Sequence, residues 1–171
     1  MIVVADPDGA FHRGSGHIMS HIDITVLTPG APEIGICARW RAEAFPVLGS
    51  STEDERRRLE SFVQDQTRQV ALLAKLNGVP AGTCLLVPSE IAPNHNVSPW
   101  LAGLFVAPEH RRAGVGEALV RAVEDEARLR GFTRLFLYTR DAAAFYQRLG
   151  WSVVDTTAWE GAETRLMAID L

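Results

Sequence analysis

The chain has 171 residues, of which 47% are hydrophobic and 22% charged, a composition typical of one globular domain with a full hydrophobic core. Its formal net charge of −4 argues against a nucleic-acid-binding surface as the main function, although a local basic patch is compatible with an acidic average. No apolar run is long enough to span a membrane, and Cys37 and Cys84 lack metal-ligand spacing, so we expect buried thiols, no metal site and a cytoplasmic protein.

The first 18 residues differ in composition from the rest of the chain. The apolar run Ile2–Ala5 is too short for a signal-peptide core and has no basic residue before it. Turn-forming residues fill most of the segment that follows. We predict a disordered arm or leader over residues 1–18 and a single domain over residues 19–171, with Met19 as an alternative start.

Hydrophobic periodicity and turn residues divide residues 19–106 into a strand, two helices, a hairpin and a further strand. The dipeptide Asn77-Gly78 is the strongest short hairpin signal, so its flanking runs are expected to pair as antiparallel strands. Ser51 or Thr52 is the expected cap of the second helix, whose first turn is acidic. The predicted elements are a strand over 22–26, helices over 31–45 and 52–69, strands over 69–76 and 81–87, a loop over 88–99 and a strand over 101–106.

A long amphipathic helix is predicted to begin near residue 115 and to end at Gly131. Val115, Leu119 and Val123 form its apolar stripe at helical spacing. Its other face is predicted to be solvated and to carry acid-before-base pairs four residues apart. These pairs are Glu117–Arg121, Glu124–Arg128 and Glu126–Arg130, and the elements that follow are a strand over 133–139, a short helix over 142–149 capped by Asp141, and strands over 151–158 and 164–171.

The loop before this helix contains Arg111-Arg112-Ala113-Gly114-Val115-Gly116, an RxxGxG pattern that follows a strand. Helix starts leave N–H groups without intrahelical partners, and the helix dipole adds partial positive charge, so the loop is suited to a diphosphate. Glu117 follows Gly116 where a Walker A loop needs Lys. A dinucleotide fingerprint is excluded as well, because its third glycine is missing.

Two sequence blocks resemble the GNAT superfamily of acyl-CoA-dependent N-acyltransferases. Residues Leu104–Gly116 are similar to that family's strand, loop and pyrophosphate-binding helix. Residues Ala144–Trp151 are similar to its helix that ends in a tyrosine and an aromatic residue after glycine. The resemblance covers about residues 100–152, and it implies an α/β domain with a central mixed, mostly antiparallel sheet of about seven strands flanked by about four helices.

The resemblance also implies an activity, namely direct transfer of an acetyl group from acetyl-CoA to a primary amine of a small molecule in a ternary complex, without a metal. Tyr146 would then be the catalytic acid that protonates the departing thiolate. The N–H of Phe105 or Val106 would lie near the thioester oxygen, and Thr139 stands where many relatives have a CoA-contacting asparagine. The implied cofactor-binding residues are Leu104, Phe105, Val106, Arg111, Arg112, Ala113, Gly114, Val115, Gly116, Thr139 and Tyr146.

The group that deprotonates the amine is left open by the sequence. Many relatives carry a glutamate on the strand before the loop, but residues 100–106 contain no carboxylate. Water-relayed deprotonation is the alternative to a side-chain base. The candidate bases on segments that surround the acceptor in the family are Glu43, Glu90, His95 and Glu160, and the aromatic candidates for binding a cationic amine there are Trp40, Phe45, Trp100 and Trp159.

Two other functions remain open at this point. Acetylation of a protein N terminus or lysine predicts an open groove, whereas a loop 88–99 folded over the site favours a small acceptor. A catalytically silent acyl-CoA-binding domain is compatible with the missing base, but Tyr146 and the glycine loop argue against it. We expect no nucleic-acid or membrane partner, and a homodimer is possible.

Overall fold

The computed structural model of the chain describes residues 20–45, 51–89, 94–159 and 161–171. The predicted arm over residues 1–18 and the alternative start at Met19 lie outside these ranges, as do Glu90 and Glu160.

Within the described ranges, seven strands form one sheet and four α-helices pack on its two faces. A short 3₁₀ turn at Pro108–His110 joins the fourth strand to the third helix. The strands are β1 (Ile22–Val26), β2 (Val70–Leu76), β3 (Val79–Val87), β4 (Trp100–Val106), β5 (Arg134–Thr139), β6 (Ser152–Trp159) and β7 (Ala162–Asp170), and the helices are α1 (Ile34–Ala44), α2 (Thr52–Phe62), α3 (Val115–Leu129) and α4 (Ala143–Arg148).

The sheet has the order β1-β2-β3-β4-β5-β7-β6. Its neighbours are antiparallel except β4 and β5, which are parallel. The predicted fold class, a mixed and mostly antiparallel sheet with flanking helices, is therefore confirmed. The predicted hairpin is confirmed as well, because β2 turns into β3 through Asn77 and Gly78, whose φ angles of 51° and 82° are those of a tight hairpin turn.

The second helix is shorter than predicted, since it ends at Phe62 and not near residue 69. Ser51 caps its start as expected, through a reciprocal pair of hydrogen bonds with Asp54. After Phe62, the Asp65 carboxylate accepts hydrogen bonds from the Thr67 N–H and hydroxyl at 3.0 and 2.7 Å. This local turn competes with helical hydrogen bonding and leads the chain into β2.

The sheet has an apolar core on each face. On one face, α3 and α4 cover a cluster that includes Leu119 and Tyr146. On the other face, α1 and α2 cover a cluster that includes Trp40, Phe105 and Tyr138. Tyr146 and Tyr138 therefore lie on opposite faces of the same sheet.

The prediction that the charged face of α3 is solvated is wrong at Glu124, because this residue is only 1% exposed. Its carboxylate accepts hydrogen bonds from the Trp151 indole N–H and from Arg121, each at 3.0 Å. Arg128 bonds to Asp125 instead, so among the three predicted pairs only Glu126–Arg130 is present. The buried indole N–H needs an acceptor, and this need draws Glu124 inward.

The close approach of β3 to β4 requires a glycine at position 82. A Cβ there would lie 2.6 Å from the Phe105 carbonyl oxygen and 3.1 Å from Leu119 Cδ1. We expect Gly82→Ala to lower the free energy of unfolding by about 2 kcal/mol, because the β4 backbone has to shift. Chemical denaturation measures the change.

The matched control is Gly35→Ala on α1, where an added Cβ meets no atom within 4 Å. That substitution should raise stability by up to about 1 kcal/mol, because alanine is the better helix former. Equal stability of Gly82→Ala and the wild type would contradict the close contact between β3 and β4.

Candidate active site

Strands β4 and β5 are held together at one end and separate at the other. Their register contains one pair, Trp100 with Phe136, and the Phe136 N–H donates to the Pro99 carbonyl at 3.1 Å. Beyond that pair β4 bulges, because Gly103 and Leu104 together face the single residue Cys84 of β3. The β5-facing main chain of β4 beyond the bulge therefore borders a gap, and Leu104, Phe105 and Val106 lie along it.

The loop after β4 presents backbone donors at the start of α3. Arg112 and Gly114 have positive φ angles of 61° and 84°, which turn the chain sharply before the helix. The first helical hydrogen bond runs from the Ala118 N–H to the Gly114 carbonyl at 3.0 Å. Helix geometry therefore leaves the N–H groups of Val115, Gly116 and Glu117 without an acceptor inside the helix. These donors and the helix dipole favour an anion at this point.

The same loop carries positive charge and packs tightly against its neighbours. The side chains of Arg111 and Arg112 are exposed, and the Arg111 Nε donates to the Val106 carbonyl at 3.3 Å. A Cβ at position 116 would lie 3.4 Å from Phe145 Cζ and 3.6 Å from Val106 Cγ2. Glycine at 116 thus lets the first turn of α3 come close to both β4 and α4. The structure brings the predicted diphosphate-binding residues together beside the end of β4.

Tyr146 lies fully buried on α4, under the same face of the sheet. Its ring packs edge-on against Phe145 and Trp151, with centroid distances of 5.0 and 5.9 Å. Among the described residues its hydroxyl has no hydrogen-bond partner. Burial, with a smaller contribution from the neighbouring Cys84, raises the pKa of the Tyr146 phenol well above its ordinary value. The residue is therefore a neutral proton donor that lacks an acceptor in the protein.

Thr139 at the end of β5 is buried, and its Oγ1 accepts a hydrogen bond from the Ala142 N–H at 3.1 Å. This bond fixes the turn that leads into α4, and the sequence predicted Asp141 as the cap of that helix. The assignment to Asp141 is wrong, because the first residue before α4 is Ala142 and no side chain of that position caps the helix. A contact between Thr139 and a cofactor stays a prediction.

A cleft of about 500 Å³ opens between α1 and the end of β4. Trp40 forms one wall, with its ring centroid 5.4 Å from that of Phe105. Glu43, one of the candidate bases, lies on the same wall, whereas Phe45 does not line the cleft. The lining residues are Arg39, Trp40, Glu43 and Ala44 of α1, Phe105 and Val106 of β4, and Pro108, Glu109 and Arg111 of the loop.

A second group of polar side chains surrounds Tyr138 of β5. The Tyr138 hydroxyl lies 2.7 Å from His95 Nδ1, and it accepts a hydrogen bond from the Asn94 N–H at 3.1 Å. The other ring nitrogen of His95 lies 2.9 Å from the Asp155 carboxylate. The hydrogen bond to His95, with a second one from the Thr156 N–H, holds the pKa of Asp155 below its usual range.

Trp100 and Trp159 pack on the ring of Tyr138, with centroid distances of 4.8 and 5.2 Å. These two tryptophans and His95 were expected near the acceptor, but Tyr138 itself was not singled out. In the sequence it is one apolar residue in a strand-like run, Leu135–Thr139. Only the parallel pairing of β5 with β4, which brings it to the gap, could have indicated a further role.

Comparison with known proteins identifies the architecture. Residues 36–151 match the family model described as the acetyltransferase (GNAT) family. No curated protein sequence shows a significant match. Among the residues described, no helix is long and apolar enough to cross a membrane.

Solved structures share the fold. One is an acetyltransferase of the GNAT family from Streptococcus pneumoniae, 18% identical, covering 88% of this chain and 100% of that chain with a TM-score of 0.66. Another is aminoglycoside 6'-N-acetyltransferase complexed with coenzyme A, 16% identical, with 86% and 96% coverage and a TM-score of 0.67. A third is a putative acetyltransferase from Salmonella typhimurium with its cofactor acetyl-CoA, 16% identical, with 87% and 93% coverage and a TM-score of 0.65. At these identities the likeness shows the fold.

The unpartnered hydroxyl of Tyr146 has a measurable consequence for stability. We expect Tyr146→Phe to leave the free energy of unfolding unchanged or to raise it by up to about 1 kcal/mol, because it removes a buried polar group that no described residue satisfies. The matched control is Tyr138→Phe, which removes a buried hydroxyl with two partners and should cost about 1–2 kcal/mol. Urea denaturation of both variants measures the free energy of unfolding. Equal losses of stability in the two variants would show that the Tyr146 hydroxyl has a hydrogen-bond partner in solution.

Proposed function

We propose that this chain, which belongs to the acetyltransferase (GNAT) family, transfers an acetyl group from acetyl-CoA to the primary amine of a small molecule by direct attack in a ternary complex. Acetyl-CoA is the cosubstrate of this family, and solved structures of the same fold hold CoA or acetyl-CoA. The observation that carries the proposal is the buried, unpartnered hydroxyl of Tyr146 on the face of the sheet where β4 bulges.

The residues at the start of α3 fit a diphosphate. The side chains of Arg111 and Arg112 supply positive charge, and the N–H groups of the RxxGxG loop supply donors that point away from the helix. Ala113 and Val115 belong to the same turn and add backbone groups. Gly114 takes a left-handed conformation that other residues adopt only with strain, and this conformation aims the loop at the anion.

The strand gap fits the thioester. Bound acetyl-CoA would supply an activated acyl group, and the Phe105 or Val106 N–H would donate to its oxygen as negative charge develops there. One such preorganised donor contributes about 3 kcal/mol to transition-state stabilisation. Tyr146 would give its proton to the departing sulfur, since burial keeps the phenol protonated across the working pH range. A thiol leaves more easily than a thiolate.

The described part of the loop after β3 supports a small acceptor over a protein chain. The Asn94 side chain donates to Thr157 Oγ1 at 2.9 Å and to the Ala158 carbonyl at 3.1 Å. These bonds fold the loop against β6, where a protein substrate would need an open groove. The cleft of about 500 Å³ has the size of a small-molecule site. Solved structures with the same fold include aminoglycoside acetyltransferases.

The state of the thiols supports a reducing compartment, and we propose the cytoplasm. Cys37 and Cys84 are both free and buried. Burial raises the pKa of the Cys37 thiol to about 11, so it is unreactive at neutral pH.

If Tyr146 is the catalytic acid, removal of its hydroxyl should lower the turnover rate and leave CoA binding unchanged. We expect Tyr146→Phe to lower kcat by roughly 100-fold and to leave CoA affinity within about twofold of the wild type, because the hydroxyl acts on the leaving group. Release of free CoA from acetyl-CoA is measured across polyamines, amino acids, aminoglycosides and short peptides. Unchanged turnover of the variant at every pH would refute the role. A wild type that binds CoA tightly but turns over with none of these amines would favour the silent binding domain or a protein substrate.

If the loop before α3 binds the diphosphate, a strained substitution in it should lower CoA affinity, whereas an equally strained substitution elsewhere should lower stability alone. Gly114 and Gly131 both have left-handed backbones, with φ angles of 84° and 78°, so valine at either position is strained by about 1–2 kcal/mol. We expect both variants to lose similar stability and only Gly114→Val to lose CoA affinity, by tenfold or more. Calorimetric titration with CoA measures the affinity, and retained binding by Gly114→Val would contradict the loop assignment.

A further inference from the structure

The direction of the Tyr146 hydroxyl depends on contacts made by the rest of its residue. The hydroxyl is buried and has no hydrogen-bond partner among the described residues, so no bond at that end holds it. Helix α4 has six residues, and a helix of that length is not stable without tertiary contacts. The packing around the Tyr146 ring and the bonds to its backbone therefore determine where the phenol points.

Trp151 makes both kinds of contact with Tyr146. The Trp151 N–H donates to the Tyr146 carbonyl at 3.1 Å, and the Leu149 N–H donates to the same carbonyl at 2.9 Å. The Trp151 ring meets the Tyr146 ring edge-on, with the two centroids 5.9 Å apart. A shift of the Trp151 ring would therefore move the phenol as well.

Glu124 of α3 in turn holds Trp151. The indole N–H of the buried Trp151 donates to Glu124 Oε1 at 3.0 Å. Arg121 donates to Glu124 Oε2 at 3.0 Å and to the Leu149 carbonyl at 2.9 Å. The carboxylate thus fixes the indole, and the guanidinium fixes the backbone shortly before it.

A carboxylate is an uncommon choice for the inner face of a helix. The other buried residues of α3 are apolar, namely Val115, Leu119, Val120, Val123 and Ala127. Taking a carboxylate out of water costs free energy, and a well-packed apolar residue often serves stability as well as a buried ion pair does. An apolar residue cannot, however, accept a hydrogen bond from the indole. Glu124 therefore contributes an orientation of Trp151 that packing alone would not specify.

We propose that Glu124 is a positioning residue for the reaction, which fixes the Trp151 ring and, through it, the Tyr146 phenol. The inference rests on the proposed function, in which Tyr146 gives a proton to the departing sulfur. A general acid has to lie within hydrogen-bond distance of the atom that receives its proton. Because a misplacement of about 1 Å can cost roughly 100-fold in rate, a residue that fixes the phenol affects turnover without touching the cosubstrate.

The effect of Glu124 should fall on turnover and not on binding of the cosubstrate. Glu124 lies about 13 Å along α3 from Val115, where the helix begins. The first turn of α3 has its own hydrogen bond, from the Ala118 N–H to the Gly114 carbonyl. The diphosphate loop should therefore keep its geometry when Glu124 is replaced.

The test compares Glu124→Ala and Glu124→Gln with the wild type, using the amine of the acceptor panel that gives the highest turnover. Glu124→Ala leaves the indole without its acceptor and should lower kcat by roughly 10- to 100-fold, with CoA affinity within about twofold of the wild type. Glu124→Gln keeps an oxygen that accepts from the indole, so its kcat should stay within about threefold of the wild type. Equal losses of kcat in the two variants would contradict a role through the bond to Trp151.

Combination with Tyr146→Phe separates positioning from a general loss of structure. If Glu124 acts through the Tyr146 hydroxyl, Glu124→Ala should lower kcat no further in a chain that already carries Tyr146→Phe. A loss by the same factor in both backgrounds would overturn the proposal. Trp151→Phe removes the indole N–H and keeps an aromatic ring, and its effect should depend on Tyr146 in the same way. This variant tests the same bond if Glu124→Ala does not fold.

The matched control is Glu126→Ala on the same helix. Glu126 pairs with Arg130, whose other hydrogen bond goes to the Gln66 carbonyl, before β2. Glu126→Ala should lower the midpoint of urea unfolding, as Glu124→Ala does, but should keep kcat within about twofold of the wild type. A loss of kcat as large as that of Glu124→Ala would show that stability sets the rate, and the proposal would be wrong.

The single variants distinguish failure of this proposal from failure of the proposed function. A wild type without turnover, or a Tyr146→Phe variant with the wild-type kcat, would overturn the acid role of Tyr146 and the positioning role of Glu124 together. If Tyr146→Phe loses turnover as expected while Glu124→Ala keeps the wild-type kcat, the acid role stands and the positioning role alone is wrong.

Discussion

β4 and β5 are joined at Trp100 and Phe136 and then diverge, and every part of the candidate site lies along that divergence. Backbone N–H and C=O groups at the centre of a sheet normally pair with the next strand, because an unpaired group away from water costs free energy. Here the bulge at Gly103 and Leu104 turns the backbone away from its neighbour. The strands on both sides of the opening are paired in antiparallel ladders, β2 with β3 and β5 with β7. The divergence leaves main-chain polar groups of β4 that β5 does not pair, and the proposed function assigns these groups to the thioester.

The two sides of the gap differ in chemistry. On the side of α3 and α4, Tyr146 has a hydroxyl isolated in apolar surroundings, and isolation keeps it protonated. On the side of α1 and α2, Tyr138 has a hydroxyl in a network that reaches water through His95 and Asp155. The same side-chain type is thus placed in two environments, one apolar and one hydrogen-bonded.

Features that depend on consecutive residues were predicted correctly from the sequence. Features that depend on contacts between residues far apart in the chain were not. The Asn77-Gly78 hairpin and the RxxGxG loop each depend on a few consecutive residues, and both appear where expected. Glu124 is different, because the Trp151 indole that draws it inward comes 27 residues later. The contact of His95 with Asp155 spans 60 residues, and its contact with Tyr138 spans 43, so no local pattern carried either. His95 was named among the candidate bases from the family's layout, but its partners were not.

The buried carboxylate of α3 ties two distant parts of the molecule together. Glu124 bonds to Trp151, just after α4, and Arg121 bonds both to Glu124 and to the Leu149 carbonyl. Helix α3 begins right after the glycine loop. Through these hydrogen bonds it is also tied to the segment that carries Tyr146. In the proposed function, the length of α3 would therefore set the distance between the diphosphate loop and the catalytic acid. A chimaera that exchanges the segment with Tyr146 between relatives of this fold would therefore have to exchange Arg121, Glu124 and Trp151 together, because these side chains are hydrogen-bonded to one another.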